Sequence, residues 1–148
     1  MSQSTTTPAR SGDGTIGLAA ALDICRDAVA EAERLGALVS VAVADSGGHL
    51  VAFTRMDGAE IAGPVLAPDK AFTAVANRAA THELAELAAP GGPLFGLHAN
   101  GGGRFVIFGG GVPLQRGGQV VGAVGVSGGT VDQDVACAQA GERAWVQR

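Results

Sequence analysis

The stretch Val120–Thr130, VVGAVGVSGGT, limits what this chain can fold into more than any other part of it. Small and β-branched residues alternate along it, the pattern of a strand packed on both faces rather than of one half-exposed to water. Ser127, Gly128 and Gly129 then halt the strand, and Thr130 starts a helix. A Gly-rich turn, GGGVPLQRGG from Gly109 to Gly118, feeds the strand from the other end. At the junction, backbone N–H groups at Gly128 and Gly129 are placed to hold a carboxylate, phosphate or propionate beside Ser127. The same residues also suit a tight turn in which the capping side chains consume those N–H groups.

Upstream, Leu18, Leu22, Cys25, Val29 and Ala32 recur at helical steps behind Thr15 as N-cap, and Gly36 ends the helix. LVSVAVAD (Leu38–Asp45) and HLVAFTR (His49–Arg55), joined through Ser46, Gly47 and Gly48, read as a β-hairpin. A loop from Asp57 runs through Pro64 and Pro68. Alanine-rich Asp69–Leu87 follows as a helix with a break near Thr81. Pro90–Gly103 is a long loop, and Arg104–Phe108, Val112–Arg116 and Gln119–Ser127 form a meander of three strands. Thr130 and Gln133 supply a capping box for a last helix reaching about Trp145, with Asp132 and Asp134 matching its dipole. The order predicts an α+β single domain: a profilin-like sandwich of helices around an antiparallel sheet of about five strands. Residues 1–14 are expected to be a disordered arm and 15–148 the domain.

Composition excludes several classes. With ten Lys and Arg and a net charge of −4, the chain has no basic surface for nucleic acid. No run approaches the ~18 apolar residues of a membrane span, and the polar N-terminus has no signal-peptide core, so a cytoplasmic protein is expected. Cys25 and Cys137 fall at apolar helix positions and read as two buried free thiols. Glycine, 24 of 148 residues, is about twice its usual ~7% and lacks a period, which signals tight turns and close backbone contacts. Gly122–Gly128 does not have the spacing of a dinucleotide loop, and no Gly-Lys-Ser/Thr follows it.

Several segments together, in this order, carry a resemblance. They are Asp45-Ser-Gly-Gly-His-Leu-Val-Ala, Arg55-Met-Asp-Gly-Ala59, Lys70-Ala-Phe-Thr-Ala74, Gly110-Gly-Val-Pro-Leu114, and Gly118–Gly129 followed by Gln133-Asp134. From about Ala20 to Ala144 the chain resembles the GlcG/HbpS-like family, which includes haem-binding HbpS and the C-terminal domain of PduO-type proteins. The resemblance implies a profilin-like domain that assembles into homo-oligomers, often octamers. For some members it also implies binding of haem or a related tetrapyrrole. There is no Cys-x-x-Cys-His attachment motif, so any haem here is non-covalent.

The candidate site residues follow from their chemistry. His98, in the long loop with Arg104 close behind, can act as acid/base or iron ligand, or simply bond to backbone. Arg55 either pairs with Asp57 to fix its turn or clamps a ligand carboxylate, and Lys70 is either a second anion contact or a surface charge. Arg104 is the anion partner nearest His98. His49 and His82 are weaker candidates, and the spacing of the three histidines gives no zinc site. Two functions fit these groups. One is a small-ligand binding module with a pocket between the long loop and the Ser127 turn, holding haem or another flat anion. The alternative is a cofactor-independent isomerase, tautomerase, hydrolase or cyclase using His98 as acid/base, Arg104 or Arg55 for the anion, and the Gly128 and Gly129 N–H groups for developing charge.

Overall fold

A computed structural model describes residues 14–148; all but the last residue of the expected arm lies outside them. Its elements are α1 (Leu18–Leu35), β1 (Ser40–Asp45), β2 (Leu50–Arg55), α2 (Gly63–Asn77), α3 (Thr81–Leu87), β3 (Gly111–Arg116), β4 (Gln119–Ser127) and α4 (Val131–Val146). The strands form one antiparallel sheet in the order β2-β1-β4-β3. No described helix is long and apolar enough to cross a membrane.

The alternation in β4 has a partner in β1, and the register matches size with size. Val41 lies opposite Val126 and Val43 opposite Val124, while Ser40 meets Ser127, Ala42 meets Gly125 and Ala44 meets Ala123. Because successive side chains point to opposite faces, the two central strands present one valine face and one face of Ser, Ala and Gly. The valine face packs on α1 and α4 through Ile24, Ala28, Cys137 and Ala138. On the small face α2 lies close: Ala71, Ala74 and Val75 pack against Ala44 and Ala123. A Cβ at Gly125 would collide with the Ala67 carbonyl oxygen, and one at Gly63 would come within 2.5 Å of Ser40 Oγ. The expected sandwich of helices around a sheet is therefore what forms, and the alanines of α2 are there for contact.

Several expectations are corrected. The sheet has four strands rather than about five, because Arg104–Phe108 is not a strand. It crosses α2, and the Val106 N–H donates to Thr73 Oγ1 (2.9 Å). Helix α2 starts six residues before Asp69, with Pro64 in its first turn and Pro68 inside it. An interior proline costs roughly 3 kcal/mol in an isolated helix, and here the packing of Ala67 and Ala71 outweighs it. The break near Thr81 is real: α2 ends at Asn77, capped by Arg78, and α3 begins at Thr81. In α1 the buried stripe is Ala20, Ala21, Ile24, Cys25, Ala28 and Ala32, with Leu18 and Leu22 exposed. The narrow space beside α4 admits alanine where leucine was expected. Gly17 takes the N-cap position instead of Thr15, whose Oγ1 accepts from the Ser46 N–H (2.9 Å). Both cysteines are free and buried, as expected, and the Thr130/Gln133 capping box forms.

The α2 contact gives a direct test. Gly125→Ala should lower the free energy of unfolding by about 3 kcal/mol, the upper end for overpacking, since the obstructing atom is backbone. Gly118→Ala, at a left-handed position with open space around it, should cost only about 1 kcal/mol. Urea denaturation of the two variants reads the difference.

Candidate functional site

The turn after β4 is held from both layers. Lys70, on α2, is fully buried; its Nζ donates to the Val126 carbonyl (2.8 Å) and pairs with Asp134 Oδ2 (3.1 Å). The ring of Phe108 lies 4.9 Å from the same Nζ. Asp134, in the first turn of α4, accepts the Gly129 N–H on its other oxygen (2.9 Å). The Thr130 N–H donates to Gln133 Oε1 (3.0 Å), and the Gln133 N–H to Thr130 Oγ1 (3.2 Å). Gly128 sits at φ 143°, where a Cβ would meet the Leu38 carbonyl oxygen. Within this chain the anion bound at the end of β4 is therefore its own Asp134 carboxylate.

Lys70 is thus neither a surface charge nor a contact for an outside anion in this structure. Asp134, read from the sequence only as a dipole match, is its partner. The available signal was a lysine among the alanines of a helix that must lie against small residues. Burial pushes the Lys70 ammonium down, against the attraction of Asp134. Burial likewise pushes the Asp134 carboxyl up, opposed by Lys70 and by the Gly129 and Gly128 N–H groups. Both shifts disfavour the charged forms, so the pair costs desolvation that its bonds only partly offset. Lys70→Met should therefore lower stability by about 3–5 kcal/mol by leaving a buried carboxylate alone, and Lys70→Met with Asp134→Asn should recover much of that loss. Thermal and urea unfolding of the single and double variants measures it.

The long loop straps α2 from outside. Arg104 Nε donates to Asp69 Oδ1 (2.7 Å), and its guanidinium lies 3.9 Å from the centre of the Phe72 ring, which stacks on Phe105. Thr73 Oγ1 donates to the Asp69 carbonyl (2.6 Å) while accepting from Val106. His98 is exposed in a short 3-10 turn, and no hydrogen bond or ion pair joins it to Arg104 among the described residues. None of the five principal cavities among the described residues is lined by His98, Arg104, Ser127, Gly128 or Gly129. None of these five cavities lies between the long loop and the Ser127 turn.

Arg55 lies elsewhere, at the end of β2. It does not pair with Asp57 among the described residues; with Arg26 it borders a groove of about 380 Å³ between α1 and β2. Leu22, Cys25, Val29 and Met56 form the apolar part of this groove. Met56 Sδ accepts the Val39 N–H (3.3 Å), and the buried Thr54 Oγ1 has no partner. Burial pushes the Cys25 thiol up to about 11, and the Cys137 thiol likewise to about 11. Of the expected site residues, the structure brings together Lys70, Ser127, Gly128 and Gly129; it leaves Arg55, His98 and Arg104 in separate places.

With that geometry established, comparison with known proteins places the chain. Residues 16–143 match the family model described as haem degrading protein HbpS-like. The chain belongs to the HbpS-like family. It is 43% identical over 120 residues to an uncharacterised 15.0 kDa protein encoded between dhaT and dhaS in Citrobacter freundii, a match covering 81% of this chain and 84% of that one. It is also 43% identical over 116 residues to the corrinoid adenosyltransferase PduO of Salmonella typhimurium, 78% of this chain but only 34% of that protein. Among solved structures, the PduOC:heme complex superposes with a TM-score of 0.84 at 39% identity, covering 88% of this chain and 94% of the other.

The thiols yield a prediction of sign. Their folded pKa near 11 exceeds the ordinary 9.0, so the folded state holds these protons more tightly than the unfolded one. Stability should be whole below pH 9 and fall as pH rises toward 11. Chemical denaturation across that range checks it, and both thiols should stay unreactive to a disulfide reagent until the chain unfolds.

Proposed function

We propose that this protein is a cytoplasmic homo-oligomer that binds a flat anionic small molecule, haem or a related tetrapyrrole. The observation that carries this is the groove between α1 and β2, an apolar surface bordered by Arg55, by Glu33 and by Arg26, which pairs with Asp23 (3.0 Å). A porphyrin is an apolar disc with two propionates, and Arg55, which makes no ion pair among the described residues, is the residue type that binds a carboxylate through paired hydrogen bonds. Membership of the HbpS-like family and the haem complex of the PduO relative support the same ligand class.

The groove offers a porphyrin apolar surface and the Arg55 guanidinium for a propionate, but no iron ligand. No histidine lines it, the Cys25 thiol is kept protonated, and the Met56 sulfur already accepts the Val39 N–H. His49 is also exposed, but its Nδ1 lies 3.3 Å from Asp45 Oδ1; His98, exposed on the long loop, is the iron ligand we assign. Self-association is supported by exposed apolar side chains that a monomer would leave in water: Ile61, 89% exposed, with Val65, Phe95, Phe108 and Val131. The octamer implied by the sequence resemblance is the size we expect. The enzymatic alternative draws no support from the protomer, because His98 lines no principal cavity and Arg104 is held by Asp69.

Haemin titration should give a saturable Soret shift that weakens at least ~10-fold in Arg55→Ala, the loss of a charged hydrogen bond. A changed Soret position in His98→Ala would identify the iron ligand. Absence of a saturable shift in the unaltered protein would exclude haem. Light scattering should return a mass several-fold above the 14.6 kDa chain, reduced by Val65→Asp.

A further inference from the structure

The border of the sheet formed by β2 is left unfilled. The Met56 N–H donates to the Val39 carbonyl (3.0 Å) and the Asp45 N–H to the His49 carbonyl (2.9 Å), which fixes the hydrogen-bonding rhythm between β1 and β2. Bonded and non-bonded residues alternate along an antiparallel pair, and Val51 is skipped where the register slips between Val43 and Ala44. Ala52 and Thr54 therefore bond to β1, whereas Leu50, Phe53 and Arg55 turn their N–H and C=O groups outward. None of these outward groups has a partner among the described residues.

The side chains beside those groups are apolar and open. Leu50 and Phe53 lie opposite Ala44 and Ala42, on the face that carries α2, and are 56% and 36% exposed. The strand contains no proline and no lysine, two devices that keep an edge from pairing, and its bulge lies outside the regular ladder from Ala52 to Arg55. The β3 border is different. Pro113 has no N–H to offer there, and the Gln115 carbonyl already accepts from Trp145 Nε1 (2.8 Å). The charges around β2 are divided between its ends: Arg55 and Asp57, unpaired with each other among the described residues, at one, and Asp45 and His49 at the hairpin.

We infer that β2 is the contact through which two copies of this chain join, each pairing antiparallel with the other about a two-fold axis at Phe53. Phe53 then exchanges both backbone bonds with the partner's Phe53, and the two rings meet on the α2 side. Antiparallel alignment carries Arg55 toward the partner's Asp45 and Asp57 toward the partner's His49, so opposite charges meet at both ends. An axis at Arg55 would instead bring two guanidinium groups together, and a two-fold contact must be self-complementary. Each face of the sheet stays on its own side across the joint, so the partner strand extends the floor of the α1/β2 groove beside Thr54. The inference rests on the self-association proposed above, whose contact it names, and not on haem.

Phe53→Cys tests this by gain of signal, because Cys25 and Cys137 are buried and residues facing each other in a bonded antiparallel pair are close enough for a disulfide. Under mild oxidation the full chain carrying Phe53→Cys should run as a covalent dimer on a non-reducing gel. Val146→Cys, at an exposed position on α4, should stay uncross-linked. Phe53→Lys sets two ammonium groups on the axis and should lower the light-scattering mass about twofold or more while leaving the circular dichroism spectrum unchanged. Should Phe53→Lys not fold, the Phe53→Cys cross-link decides. If the unaltered chain scatters as a 14.6 kDa monomer, the self-association reading and this inference fall together. If it is an assembly but Phe53→Cys cross-links no more than Val146→Cys, or folded Phe53→Lys keeps the full mass, the β2 contact alone is overturned and the copies join elsewhere.

Discussion

The structure depends on how closely α2 approaches the middle of the sheet. That distance is set by Gly125 and Gly63, and by the Ser, Ala and Gly side chains that β1 and β4 turn toward the helix. Close approach brings Lys70 down to the end of β4, where its ammonium meets the Val126 carbonyl and Asp134. One lysine thereby links the helix on one side of the sheet to the first turn of a helix on the other. The valine face is ordinary hydrophobic packing by comparison, and its burial of Val41, Val43, Val124 and Val126 supplies much of the apolar driving force.

Most of the fold was legible because the signals were local. The small/β-branched alternation named a strand covered on both sides, Gly36 and the Thr130/Gln133 box marked helix ends, and the Gly-Gly turn marked the first hairpin. The errors came where tertiary contact outweighed local preference. Pro68 sits inside α2 because the residues around it pack against the sheet, and Arg104–Phe108 has strand composition but crosses a helix. Leu18 and Leu22 outscore alanine on any apolarity scale, yet α4 leaves room only for Ala21 and Ala28.

The site was less legible, for a different reason. Local sequence offered the N–H groups at Gly128 and Gly129 either to an outside anion or to the capping side chains, but did not show that Asp134, five residues on, folds back to take one of them. Nor could it show that Lys70 arrives from 64 residues away to neutralise that carboxylate. Arg55 is an isolated charge in the sequence, and only the fold sets it beside an apolar groove.

The two edges of the sheet differ in a way that bears on assembly. Pro113 interrupts the donors along β3, whereas β2 keeps its backbone groups and carries the exposed Leu50 and Phe53. A sheet that can be extended at one border only cannot propagate. If two copies join there, each uses its single open border, the contact is two-fold symmetric, and growth stops at an eight-stranded pair. Pro113 thus leaves the β3 border without the donor that a further strand would need at that point.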